Sequence, residues 1–377
     1  MMTTKPSPPS PEGDLLIPSL AALVVRLAQM SLVEERMISG TSWAYGSPVG
    51  LRPEDRRAMS AVSRACLVSG LPDHGAEIHQ LLALCSRPLH EWLSVPEVTQ
   101  GGLKYTRLID PEEGIPTAEA EELAAAFPGM TAGIEEQLFA KFMEMLNRHP
   151  AGEANAYYTK IREFVVRHPV CDVDELKAAL AREIPTRIWI MIQNEFYEAV
   201  PSGWSIDGMV HLCGHCGNAM KFGKAAFVCR TSACSTSTPS SSPRSVKFDT
   251  LMRVSRGIRQ YWVEPGIDEL RLYDALVERG IPAELYPFRD RVDIAVGDVG
   301  IDLKCYVSPE TLGLKFKRSI GGLAYYLRRW LVIPDWQITF EPSYVDRLVT
   351  TMDRHDVKCL TVSEAILELT AQGTTHA

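Results

Sequence analysis

The sequence predicts a multi-domain α + α/β protein: a helical N-terminal domain, a small four-cysteine unit, and a C-terminal domain with the element order α-β-β-β-α-β. Three observations carry this expectation. Apolar residues recur at helical spacing from Leu15 to about Val200, four of the nine cysteines fall between Cys213 and Cys234, and short β-type runs flanked by helical segments follow a Ser-rich stretch.

Residues 1–12 are rich in proline and serine and poor in apolar groups, which predicts a disordered lead-in. The helical domain is expected over residues 13–200. Pro53 to Val68 opens with a proline and acids, as a helix N-terminus favours. Gly133 to Asn147 carries Ile134, Leu138, Phe142 and Leu146 at a spacing of four, and Asn155 to Val166 follows a similar pattern. Asp172 caps a helix bearing Leu176 and Leu180, and Thr186 to Ala199 reads as another amphipathic helix. Residues 161–197 resemble a helix-turn-helix only in outline. No dense Arg/Lys face marks a recognition helix, so a packed scaffold is the better reading.

The four-cysteine unit is expected over residues 201–234. Cys213 and Cys216 form a Cys-Gly-His-Cys turn, and Cys229 and Cys234 form a second turn after twelve intervening residues. Four thiolates on two short turns predict a closed tetrahedral zinc site, structural in role because no coordination position stays open. His211 and His215 are close in sequence but superfluous to a complete thiolate shell. So small a unit has little apolar mass of its own, and metal binding would supply its folding energy. Residues 235–246 read as a Ser-rich linker, and Phe248 to Gln260 as helical.

The C-terminal domain, residues 247–377, is expected to open with a helix over Ile267 to Arg279, ended by Gly280. Strands are predicted at Ala283 to Tyr286, Arg291 to Val296 and Gly300 to Tyr306. A helix over Ser308 to Trp330, a strand at Leu331 to Pro334, and helices near Ser343 to His355 and Ser363 to Thr370 complete the order. Asp302 and Lys304 are two residues apart on one strand and share a face, while Asp293 lies on the neighbouring strand of the hairpin. Carboxylates suit a hard ion such as Mg²⁺ or Mn²⁺, and a lysine beside it can position the attacking water of a hydrolysis. Charged groups on an otherwise apolar hairpin need such compensation, because burying them alone costs several kcal/mol, on the order of 2–7 for a neutral polar group and more for an ion.

Asp293, eight intervening residues and Asp302-Leu303-Lys304 resemble the PD-(D/E)xK signature of restriction-endonuclease-like nucleases, with Val292 in place of the proline. The resemblance implies that the C-terminal domain has a restriction-endonuclease-like αβββαβ core. It also implies that Asp293 and Asp302 bind the catalytic Mg²⁺ and Lys304 activates water. Glu269 on the preceding helix resembles the extra acid of many members, with Asp268, Glu264 and Glu284 as alternatives. Lys315 and Lys317 on the following helix are candidates to meet substrate phosphates, whereas Tyr325, Tyr326 and Trp330 read as packing residues.

A longer stretch resembles the nuclease subunit associated with bacterial pPIWI-RE (Piwi/Argonaute-like) modules. The likeness rests on Arg256 to Tyr261, Glu284 to Asp293, Ile301 to Pro309 and Leu331 to Trp336, and Cys305 departs from the acid expected beside the site. It implies a DNA endonuclease in prokaryotic defence, with a Piwi/Argonaute-like protein and a helicase as partners and an RNA–DNA hybrid or R-loop as target context. Cleaving both strands of a duplex would call for two sites, hence a homodimer.

The formal charge of −8 is uneven: residues 1–243 hold 21 basic against 28 acidic side chains, and residues 244–377 hold 18 against 19. The near-neutral C-terminal part is compatible with nucleic acid. Leu15 to Val33, interrupted by Pro18 and Arg26, fits a buried helix rather than a membrane span or secretory signal, so a cytoplasmic location is expected. The rival from another class is a non-catalytic DNA-binding adaptor that docks a nuclease or helicase partner through the cysteine unit and the helices.

Overall fold

The computed structural model describes residues 16–37, 51–99, 102–111, 114–125, 134–222, 226–229, 231, 234 and 244–373. The expected lead-in, residues 1–12, lies outside them, as does most of the expected linker. Its last three residues, Arg244 to Val246, begin a strand instead. The chain divides into two compact units, one of residues 1–133 with 306–312, the other of residues 134–305 with 313–377. Among the described residues no helix is long and apolar enough to cross a membrane.

The first unit is helical. Helix α1 (Leu16–Met37) packs against α2 (Pro53–Val68) and α4 (Ala118–Ala125), with α3 (Ile78–Cys85) in the same core. Pro18 sits in the first turn of α1, where its missing N–H is no loss. Leu20, Leu23, Val62, Leu81 and Leu89 are fully buried in this core. Asp55 accepts from the Arg52 backbone N–H at 2.7 Å, closing the start of α2, and accepts from Arg26 Nε of α1 at 2.9 Å. One buried carboxylate thus fixes both a helix end and the α1–α2 contact. Residues 306–312 join this unit through the Val307 N–H, which donates to the Glu122 carboxylate at 3.0 and 3.1 Å.

The second unit mixes helices with three sheets, so the molecule is α+β. Helices α5 (Ile134–Leu146), α6 (Ala151–Arg167), α7 (Val173–Leu180) and α8 (Thr186–Met191) come first. They share one hydrophobic core with the C-terminal sheet. Phe142, Tyr158, Ile161 and Phe196 pack with Trp262, Leu270, Tyr286, Leu303 and Trp330. The helical domain expected over 13–200 is therefore divided near residue 133. Periodicity shows that a helix has an apolar face, but not which element covers it.

Strands β1 (Val170–Asp172), β2 (Tyr197–Ala199) and β7 (Leu251–Val254) form a small sheet with β7 at its centre. Two expectations are corrected here. The helix expected over Thr186 to Ala199 stops at Met191, passes through a π turn at Ile192–Phe196 and becomes β2. The helix expected over Phe248 to Gln260 is β7 followed by helical turns from Arg256. Short apolar runs do not distinguish strand from buried helix, and here β7 pairs antiparallel with β1 on one edge and β2 on the other. A second sheet, in the order β5–β4–β3–β6, comprises β3 (Met209–Leu212), β4 (Ala219–Phe222), β5 (Phe227–Val228) and β6 (Arg244–Lys247).

The third sheet holds five strands in the order β12–β11–β10–β9–β8. Helix α9 (Glu264–Glu278) precedes β8 (Glu284–Leu285), β9 (Ile294–Val296) and β10 (Val299–Leu303), which pair antiparallel. Helix α10 (Pro309–Arg318) then leads to β11 (Arg328–Ile333), which pairs parallel with β10. The order from α9 to β11 is helix, three strands, helix, strand. Helix α11 (Tyr344–Met352), strand β12 (Lys358–Thr361) and helix α12 (Val362–Gly373) follow, and β12 was not anticipated. The helix expected to reach Trp330 ends at Arg318, because Gly321 and Gly322 break it and Gly321 has a positive φ of 53°. A Cβ at Gly322 would fall on the Arg291 carbonyl, so only glycine allows the two loops to meet there.

Candidate active site

Strands β9 and β10 pair Ile294 with Ile301, Ala295 with Gly300 and Val296 with Val299 across the Gly297-Asp298 turn. One residue further, the register sets Asp293 opposite Asp302. The Asp293 N–H donates to the Ile301 carbonyl at 3.0 Å, and its Oδ2 accepts from the Leu303 N–H at 2.6 Å. Lys304 is tied to β11 through its own N–H, which donates to the Val332 carbonyl at 3.0 Å. Its Nζ lies 2.5 Å from Asp302 Oδ1 and 3.8 Å from Asp293 Oδ2. The three residues read from spacing therefore converge on one point.

Asp293 is 3 % exposed. Burial pushes its carboxyl pKa up, Lys304 pulls it down, Asp302 pushes it up, and Arg162 and the Leu303 N–H pull it down. The Lys304 ammonium lies between the two carboxylates, a place that favours positive charge, so the donor set fits a hard divalent ion of the Mg²⁺ class.

Glu269 on α9 is 1 % exposed, and it is engaged differently from the sequence expectation. Arg162 Nη2 donates to both of its carboxylate oxygens at 2.9 Å, and the Tyr286 hydroxyl donates to Oε2 at 2.7 Å. These bonds take three of its roughly four acceptor sites. Arg162 Nη2 also lies 3.9 Å from Asp293 Oδ1, and the guanidinium stacks 4.2 Å from the Tyr286 ring centroid. Glu269 is thus linked to Asp293 through Arg162. Among the described residues the only group of three or more potential ligands close enough to share an ion is the cysteine cluster, so Glu269 does not close up on the two aspartates.

Arg162 was missed by sequence reasoning. The available signal was its place in the buried stripe Tyr158, Ile161, Val165 and Val166 of α6, where an arginine needs an acidic partner.

The other candidates lie apart. Asp268 accepts from Trp336 Nε1 at 3.2 Å, and burial pushes its pKa up. Glu264 faces Arg259 at 3.9 Å, and Glu284 is exposed on the edge strand β8. Lys317 pairs with Asp353 at 3.0 Å, and Lys315 is exposed about 200° around α10 from it, so the two lie on different faces of the helix. Trp330 is buried, as expected of a packing residue, and the Tyr326 ring lies against Gly300. Tyr325 is 72 % exposed and is not a packing residue.

The cysteine centre is built on the β3–β4 hairpin. The Cys213 N–H donates to the Asn218 carbonyl at 2.8 Å, the Gly217 N–H donates to the Cys213 carbonyl at 2.9 Å, and Gly217 takes a positive φ of 72°. This tight turn brings Cys213 and Cys216 to face Cys229 and Cys234. All four Sγ atoms lie within 4.8 Å of one another, with Cys213–Cys234 at 3.7 Å and Cys216–Cys229 at 3.4 Å. A tetrahedral zinc–thiolate shell has S···S edges of about 3.8 Å, so the cluster fits such an ion. His215 Nδ1 lies 3.2 Å from Cys234 Sγ, whereas His211 packs on Phe227 with ring centroids 3.9 Å apart. Asn218 Nδ2 donates to Cys216 Sγ at 3.4 Å, a bond that favours a thiolate.

Purified full-length chain is expected to hold one tightly bound zinc, released on thiol modification, and Cys216→Ser should lower that content and the stability of the second unit. Metal-free chain with an unaltered unfolding transition would rule the site out.

Two family models match parts of the chain. A family model described as "REase associating with pPIWI_RE" matches residues 266–374, the stretch that holds Glu269, Asp293, Asp302 and Lys304. A second, described as "pPIWI_RE three-gene island domain Y", matches residues 23–172 and includes Arg162. No curated protein and no solved structure matches the chain.

Proposed function

We propose that this chain, which resembles the nuclease subunit associated with pPIWI-RE modules, is a metal-dependent DNA endonuclease with a restriction-endonuclease-like catalytic core. The observation that carries the reading is the convergence of Asp293, Asp302 and Lys304, with the ammonium 2.5 and 3.8 Å from the two carboxylates. Asp293 and Asp302 would hold Mg²⁺ or Mn²⁺. When bound, the ion would stabilise charge on the scissile phosphate and lower the pKa of the attacking water. Lys304 Nζ would orient that water, with Asp302 Oδ1 holding the amine in place.

Glu269, expected from sequence to join the ion's shell, is assigned a positioning role: it anchors Arg162, which in turn faces Asp293. The pair also joins the two matched regions, because Arg162 belongs to one and Glu269 to the other. The four-cysteine unit would be a structural zinc ribbon, and the module's Piwi-like protein a partner.

Calorimetric titration of Mn²⁺ into the full chain separates this reading from a non-catalytic adaptor. Wild type is expected to bind the ion, and Asp293→Asn with Asp302→Asn to weaken binding at least about tenfold, as loss of roughly 1.4 kcal/mol implies. No Mn²⁺ affinity in wild type, with or without DNA, would favour the adaptor.

A further inference from the structure

Three exposed or half-exposed side chains lie on the segments leading into the site strands without a part in the aspartate–lysine cluster: Phe288 and Arg291 precede Asp293, and Tyr325 precedes β11. Phe288 is 61 % exposed and Tyr325 is 72 % exposed, and the Arg291 guanidinium sits between them, 4.2 Å from the Phe288 ring centroid and 4.1 Å from that of Tyr325. Each ring therefore has one face against the cation and its other face toward solvent.

The local backbone holds them there. Phe288 and Arg289 both take positive φ, 54° and 59°, a region that bulky L residues seldom occupy. The Arg289 N–H donates to Asn155 Oδ1 at 2.5 Å, and the Arg291 carbonyl fits against Gly322. Tyr326, next to Tyr325, lays its ring against Gly300, two residues from Asp302 on the same face of β10. Two strand residues span about 7 Å, so the Tyr326 ring lies roughly one side-chain row from Asp302, and Tyr325 immediately precedes it in the chain. The aspartates repel phosphate unless an ion is present, whereas Arg291 attracts it at all times.

We propose that Phe288, Arg291 and Tyr325 form a stacking platform for an unpaired nucleobase of a single DNA strand that passes the aspartate–lysine cluster. A base stacks on the open face of an aromatic ring whatever its identity, and the guanidinium behind the ring adds attraction for the strand's phosphates. In a duplex the base faces are already stacked, so the platform selects unpaired or extruded nucleotides. What the strand does at the cluster rests on the nuclease reading, but its binding to the platform does not.

The test is fluorescence anisotropy of a labelled single-stranded DNA oligonucleotide with full-length chain in a chelator, where neither catalytic metal nor cleavage takes part. Phe288→Ala and Tyr325→Ala are each expected to weaken binding about 5- to 150-fold, whereas Tyr325→Trp should retain it and Tyr325→Leu should not. An oligonucleotide with abasic sites should bind wild type more weakly and lose little more in the alanine variants. Unchanged affinity in both alanine variants would overturn the proposal, as would equal losses on intact and abasic strands, and a protein-docking patch would give the first of these results. Because neither catalytic metal nor cleavage contributes in the chelator, inactivity of the nuclease site and failure of the platform are read separately.

Discussion

Lys304→Ala is expected to slow metal-dependent DNA nicking by about 10²- to 10⁴-fold while leaving divalent-ion affinity unchanged or raised. The two effects separate because the amine is not an ion ligand. It lies 2.5 Å from Asp302 and 3.8 Å from Asp293, where it competes with a bound cation for the same carboxylates. Removing it relieves that competition and at the same time removes the group that orients the water. Single-turnover nicking measured beside an Mn²⁺ titration reads both quantities on one preparation. A variant that nicks at the wild-type rate would strip Lys304 of its assigned role, whatever the ion affinity.

Arg162→Ala is expected to destabilise the second unit by about 3–5 kcal/mol, the usual consequence of breaking a buried ion pair from one side. The substitution would take from the Glu269 carboxylate, 1 % exposed, the guanidinium that donates to both of its oxygens, and from Asp293 its nearby guanidinium. Arg162→Lys keeps the charge but cannot place donors on both Glu269 and the Tyr158 hydroxyl, 3.0 Å away, in the same planar geometry, so an intermediate loss is expected. Removing both charges with Arg162→Met and Glu269→Gln should cost less than the Arg162 change alone. Thermal unfolding gives the comparison, with Arg148→Ala as the control, since its pair with Glu144 is solvent-exposed. An Arg162→Ala shift no larger than that control would mean that the Arg162–Glu269 link is not a structural anchor.

The hairpin was legible because its chemistry follows a local rule. The period of two fixes Asp302 and Lys304 on one face, and the Gly297-Asp298 turn sets the register that brings Asp293 across. The cysteine cluster was legible for the same reason, since two short turns suffice to place four thiols. Arg162 was not legible as a site residue, because its partner Glu269 lies 107 residues away and nothing in the periodicity of α6 says what its buried stripe meets.

The strands β2, β7 and β12 were missed for a related reason. Each is three or four residues long and exists because a neighbouring strand offers its edge, as β11 does for Lys358 to Thr361. Tyr325 was misread because its neighbours Tyr326 and Trp330 do pack, and only the fold around Gly321 and Gly322 turns Tyr325 outward.

Plasmid nicking by purified full-length chain, wild type beside Asp302→Ala, in Mg²⁺ and in chelator, tests the central claim most directly. Nicking by wild type in Mg²⁺ alone, lost in Asp302→Ala, is the expected result. Nicking by Asp302→Ala at the wild-type rate would contradict it.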